Sequence, residues 1–171
     1  MTAGNRIEIR IEFAAWRTVD QAVTVCRDAA CAALTLAPSP WRDAGISVLL
    51  TDDSTLRQLN QMYRGRDAAT NVLSFPQVDV DQDQHIGSVP GAELLLGDIA
   101  LAFETVAREA DDMGKPLADH LRHLIVHGVL HLLGYDHVID ADATKMEAAE
   151  TRVLAGLGVP DPYQDVTVCQ G

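Results

Sequence analysis

Positive charge is what this sequence most lacks. Its 171 residues carry 13 Lys plus Arg against 25 Asp plus Glu, a net charge of −12. That balance excludes a polybasic nucleic-acid arm, so any contact with phosphate must rest on a local patch working against the field of the whole chain. Cysteine is also sparse. Cys26, Cys31 and Cys169 form neither a CxxC pair nor a zinc-ribbon spacing, which points to reduced thiols, with Cys26 and Cys31 as small core residues. Long apolar runs are missing: Leu94–Leu96 is ended by Gly97 and Asp98, and Leu124–Leu133 is interrupted by His127 and His131. Near the N-terminus Arg6, Glu8, Arg10 and Glu12 break up any secretory apolar core. The expectation is a soluble cytoplasmic protein without membrane association.

With 47% apolar and 22% charged residues, the composition is that of a globular chain and excludes disorder or a collagen-like repeat. Residues 1–171 predict one domain, with 159–171 as a loosely ordered tail. Ile7, Ile9, Ile11 and Phe13 alternate with polar residues, the period-2 pattern of a half-buried strand over 6–13. Thr18 to Gln21 has the form of a capping box opening a helix to about Ala37, before Pro38 and Pro40. Ile46–Leu50 reads as a strand. Asp52, Asp53 and Ser54 are N-cap candidates for a helix ending near Gly65, and Asn71–Phe75 reads as a further strand. Residues 77–91, acidic at Asp79, Asp81 and Asp83, read as a loop, followed by a strand over 93–101. Helices then follow over 103–113, 117–133 and 142–157, each closed by a glycine. Strands early and helices late give an α/β chain with α+β character.

The sequence holds six histidines, and His120, His123, His127, His131 and His137 crowd into one short stretch. His127 and His131 stand four apart. On a helix that is an offset of ~40° around the axis and ~6 Å along it, so both rings leave the same face. Gly134 can stop the helix and return the chain so that His137 approaches from outside. Three neutral imidazoles with a fourth position left to water is a catalytic zinc arrangement, whereas structural zinc is closed by four protein ligands. His120 and His123 read as surface groups or as supports behind the ligands, and His85, in the acidic loop, takes no role. The HxxxHxxGxxH spacing is shared with metzincin proteases, which place a general-base Glu after the first histidine. Gly128 stands there in this chain, which disfavours peptide hydrolysis.

The stretch His127-Gly-Val-Leu-His131-Leu-Leu-Gly134-Tyr135-Asp136-His137, the segment from Leu59 to Pro76 containing Tyr63-Arg64-Gly65 and Thr70-Asn71-Val72-Leu73-Ser74-Phe75-Pro76, and Leu96-Gly97-Asp98-Ile99 together resemble the YbeY endoribonuclease family. Ala69 departs from the proline the family often has before Thr-Asn, a change in backbone stiffness only. The resemblance implies a mixed four-stranded sheet with helices and one Zn2+ per chain on His127, His131 and His137. It implies cleavage of single-stranded RNA, 3′ maturation of small-subunit ribosomal RNA, ribosome quality control, and an important arginine at Arg64.

The residues agree with that implication. Between Arg57 and Arg66 there are three basic side chains and no acidic one. A guanidinium pairs bidentately with phosphate, so Arg64 is the candidate to hold the scissile phosphodiester, alongside His127 as a catalytic residue. Arg66 is a further substrate-binding candidate, although Arg57 and Arg66 also suit the role of solvated helix-end cations. Asp98, Asp136 and Glu147 are candidate bases, and attack by water or by the ribose 2′-hydroxyl remains open. The competing readings are a ribosome-assembly binding factor of weak activity and, less favoured, a zinc protease.

Overall fold

The fold grows from a few strong local signals. Ile7, Ile46, Val48 and Leu50 are almost fully buried, and the parallel pairing of β1 (Ile7–Ile11) with β2 (Gly45–Thr51) sets Ile7 against Ile46 and Ile9 against Val48. β3 (Val72–Pro76) and β4 (Leu95–Ala102) complete a four-stranded mixed sheet in the order β1-β2-β4-β3, where β4 runs parallel to β2 and antiparallel to β3. In this computed structural model residues 6–38, 41–80 and 94–163 are described. His85 and Cys169 lie outside them.

Alternation along the strands divides the core. Ile46, Val48, Leu50, Ile99 and Leu101 face α1 (Ala22–Leu34) and α4 (Leu117–Leu132), on which α5 (Asp140–Gly156) packs, while Leu49, Leu73, Phe75, Ala100 and Ala102 face α2 (Asp53–Arg64). Fully buried Leu121, Ile125 and Leu130 on α4 each contribute roughly 1.5–3 kcal/mol of apolar burial. α3 (Phe103–Asp112) follows β4 directly. The result is the expected single α/β domain with a four-stranded mixed sheet and the histidine helix in its C-terminal half. No described helix is long and apolar enough to cross a membrane. Cys26 and Cys31 are core thiols as expected, and burial pushes the Cys26 thiol up to about 12, which leaves it unreactive.

One local expectation fails. The capping box at Thr18 does not form: residues 14–18 make a short 3-10 helix, Thr18 Oγ bonds back to Ala15 O, and α1 begins at Ala22 after Gln21 adopts φ 53°. The cause is Trp16, which is wholly buried and donates its indole N–H to Thr51 O at 2.8 Å, so the chain must curl under the sheet before the helix starts. Of the tail expected to be loose, residues 159–163 are described. They pack back on the helices, with Val159 buried and its N–H bonded to Leu154 O.

Candidate functional site

Two chain reversals build the site. Asp52 accepts from Thr55 N at 2.9 Å and caps α2, whose last residue is Arg64, and Gly65 closes the helix. Asn60 is buried beneath that turn and donates to Ala68 O at 2.9 Å, so the chain leads directly into β3. The second reversal follows α4. Gly134, at φ 99°, takes the backbone where a Cβ is strained, and Tyr135 N reaches Leu130 O at 3.0 Å. Asp136 Oδ1 then accepts from His137 N at 2.7 Å and turns His137 toward the helix.

His127, His131 and His137 meet as expected from their spacing, each offering a ring nitrogen such that all three lie within 4.8 Å of one another. Nε2 of His127 and Nε2 of His131 are 3.0 Å apart. Their protonation follows from their other bonds. His127 Nδ1 sits 2.5 Å from Glu150 Oε1 and His131 Nδ1 sits 3.1 Å from Tyr135 O. A carboxylate and a carbonyl only accept, so both Nδ1 atoms donate, and in its neutral form each ring turns an Nε2 lone pair toward the other. Burial and the neighbouring His127 and His137 hold His131 at about 4, so it is neutral at physiological pH. Facing lone pairs repel unless a cation stands between them, and this donor set suits a divalent metal ion.

α4 lies close against the sheet here. A Cβ at Gly128 meets Ile99 Cδ1 at 3.1 Å and Ser74 Oγ at 3.2 Å, and Ser74 Oγ donates to Gly128 O at 3.1 Å. The position where a metzincin carries its base is thus packed against β3 and β4. Arg64 Nη2 donates to Ser74 O at 3.2 Å, which brings the guanidinium to the rim of a groove of about 800 Å3 lined by Arg64, Arg66, Asn71, Ser74 and the three histidines. Arg57 is not in this groove. Its guanidinium pairs with Asp67 at 2.6 and 3.1 Å, so the basic patch is reduced to Arg64 and Arg66.

Of the candidate bases, Asp136 lines the groove but is engaged in ordering the turn to His137. Asp98 accepts from Gln77 Nε2 at 2.9 Å and lines another groove of about 790 Å3 beside α2. Glu147 is exposed and lines neither. The carboxylate that reaches the histidines is Glu150, one helical turn further on and fully buried. Burial opposes its charge, but bonds from His123 and His127 outweigh burial and hold it well below the usual carboxylate range. The sequence carried a signal for it: Met146, Ala149, Glu150, Val153 and Leu154 form one buried stripe at i, i+3, i+4, i+7, i+8, and Glu150 is the acid inside it.

His120 and His123 are not among the grouped ring nitrogens, as expected. His123 Nε2 lies 3.0 Å from Glu150 Oε2. His120 is not a surface group: it is buried with Nε2 3.0 Å from Glu109 Oε1, and Asn71 Nδ2 donates to the same carboxylate. Burial lowers its pKa more than Glu109 raises it.

A model of the family described as Endoribonuclease YbeY matches residues 10–158. Among curated proteins, this chain is 51% identical to "Endoribonuclease YbeY" of Rhodopseudomonas palustris (strain BisB5), over 92% of this chain and 81% of that protein. It is also 51% identical to the protein of the same name from Paramagnetospirillum magneticum, over 95% and 98% respectively. A solution structure of a Thermotoga maritima protein superposes with a TM-score of 0.55 at 22% identity, covering 86% of each chain, a likeness of fold. Sequence identity over almost the whole length, in a domain that brings its histidines together at one groove, leads to one conclusion: the chain belongs to the YbeY endoribonuclease family.

Proposed function

We propose that this chain is a zinc-dependent endoribonuclease of the cytoplasm that cleaves single-stranded RNA, with the 3′ end of small-subunit ribosomal RNA as substrate and ribosome quality control as its setting. The observation that carries this reading is the shared groove: Arg64 and the three histidines line one cavity in a protein otherwise dominated by acids. The names of its relatives support the RNA substrate.

In this reading His127, His131 and His137 hold one Zn2+ per chain. When bound, that ion supplies a Lewis acid and lowers the pKa of a water molecule toward neutrality. Arg64 holds the scissile phosphate and offsets the charge that builds on it. Among the described residues its fork is engaged at one N–H, by Ser74 O, and its planar geometry matches two phosphate oxygens. Arg66, exposed at the same rim, contacts the neighbouring phosphate. His127 has its ring fixed by Glu150 and presents Nε2 to the groove. Asp136 keeps His137 turned inward.

A second reading, a ribosome-assembly binding factor of weak activity, draws on the net charge of −12, which disfavours naked RNA. Arg64→Glu separates the two. In a folded, metal-loaded variant the nuclease reading expects RNA cleavage to vanish while ribosome association persists; equal loss of both would favour binding as the primary role. Product ends report the nucleophile, since a 2′,3′-cyclic phosphate means attack by the ribose hydroxyl rather than by water.

A further inference from the structure

Glu150 is a carboxylate with no solvent exposure, held by three side chains. Its Oε1 is bonded to His127 Nδ1, and its Oε2 is bonded to His123 Nε2 and accepts from the hydroxyl of Tyr163. These partners come from α4 and from the segment after α5. That segment is itself tied down: Asp161 Oδ1 accepts from Tyr163 N at 2.9 Å and from Thr151 Oγ1 at 3.3 Å, and the Tyr163 ring stands edge-on to His123 at 5.8 Å. A buried carboxylate is costly unless donors converge on it. Here they do, and one of them is a histidine whose other nitrogen faces the groove.

We propose that Glu150 is a positioning residue for the metal centre, and that Tyr163 acts through it as a C-terminal strap. The proposal rests on the reading that His127 is a metal ligand. A carboxylate at Nδ1 admits only the tautomer with the proton on that atom, so the lone pair of the neutral ring is delivered at Nε2, beside Nε2 of His131. His123 and Tyr163 hold Oε2, so the carboxylate cannot rotate away from His127. In this arrangement the last turn of the described chain is part of the site, although Tyr163 is 36 residues beyond His127 in sequence (163 − 127). An ordinary tie between α4 and α5 would fix the same tautomer but requires no effect on metal affinity, and the affinity separates the two roles.

The test uses the full chain. In the metal-free wild type, two-bond 1H–15N spectra of the histidine rings are expected to show His127 protonated at Nδ1 and bare at Nε2; protonation at Nε2 instead would overturn the proposal without any variant. Zn2+ affinity is then measured by competition with a chromophoric chelator. Glu150→Gln, which keeps the volume and removes the charge, is expected to bind Zn2+ about 10–100-fold more weakly. Tyr163→Phe is expected to bind Zn2+ more weakly than wild type, by a few-fold and less than about 10-fold, because the His127 bond remains. Wild-type affinity in a folded Glu150→Gln protein would sink the assignment, and wild-type affinity in Tyr163→Phe would remove the strap from it. Neither readout involves RNA. A chain that binds Zn2+ as described but cuts no RNA would defeat the nuclease reading and leave the positioning role standing.

Discussion

Asp52 and Asp53 are adjacent carboxylates that serve different helices. Asp52 caps α2 through Thr55 N, while Asp53 Oδ1 accepts from the backbone and hydroxyl of Thr105 at the start of α3, and Glu104 Oε1 accepts from Asp53 N. Replacing Asp52 with Ala is expected to cost about 1 kcal/mol in urea unfolding, with no effect on metal content. The Thr55 bonds hold the Asp52 carboxyl below its ordinary value. The folded-state pKa therefore lies below the unfolded one, so this stabilisation is complete above ~3.9 and is lost as pH falls through the folded value. Asp52→Asn caps without titrating and should flatten that part of the acid limb; an unchanged acid limb would show that the cap does not contribute. At this scale the metal-ligand candidates were legible because a four-residue spacing and a glycine stop are geometric statements. The supporting carboxylate was harder to find. Glu147 and Glu150 differ in sequence only by phase, and the phase of a helix is read from its apolar stripe, in which Glu150 is an interloper.

Among the elements, α4 carries the site and its approach to the sheet sets the spacing. Gly128 permits that approach. Gly128→Ala is expected to overpack against Ile99 and Ser74 by about 1–3 kcal/mol, partly offset by the ~1 kcal/mol gain in helix propensity. The check is chemical denaturation together with RNA cleavage, since moving α4 from β3 also moves the histidines from Arg64. Gly128→Glu should fail to fold stably and should gain no proteolysis; a stable, proteolytic variant would revive the protease reading. β1 was legible from period-2 alternation, β2 from its short β-branched and aliphatic run, and α2 and α4 from their closing glycines, because each signal is local. The 3-10 turn before α1 was not, because it answers to Trp16 reaching Thr51 O across the sheet, a contact that no local pattern encodes. The packing of 159–163 has the same character, with Tyr163 anchored by Glu150 on α5.

Over the whole molecule the charge of −12 limits how RNA can be bound. The basic run from Arg57 to Arg66 looked like three free cations in sequence, yet Asp67, one residue beyond it, closes on Arg57. Two arginines at the groove imply about two phosphate contacts. Binding of single-stranded RNA should then weaken with salt at a log–log slope of about −1.4, measured by fluorescence anisotropy across a KCl series. A slope several times steeper would mean that a larger basic surface is at work. So weak an electrostatic hold agrees with the proposal that the ribosome, rather than naked RNA, is the setting of the reaction. In the proposed nuclease three histidines hold zinc and Arg64 presents the phosphate to the same groove. Zinc content and cleavage of single-stranded RNA, determined side by side for wild type, His127→Ala and Arg64→Ala, test it most directly. The expected result is about one zinc per chain and cleavage in the wild type, loss of both with His127→Ala, and retention of zinc without cleavage in Arg64→Ala. Zinc retained in full by His127→Ala, or wild-type cleavage by Arg64→Ala, would contradict it.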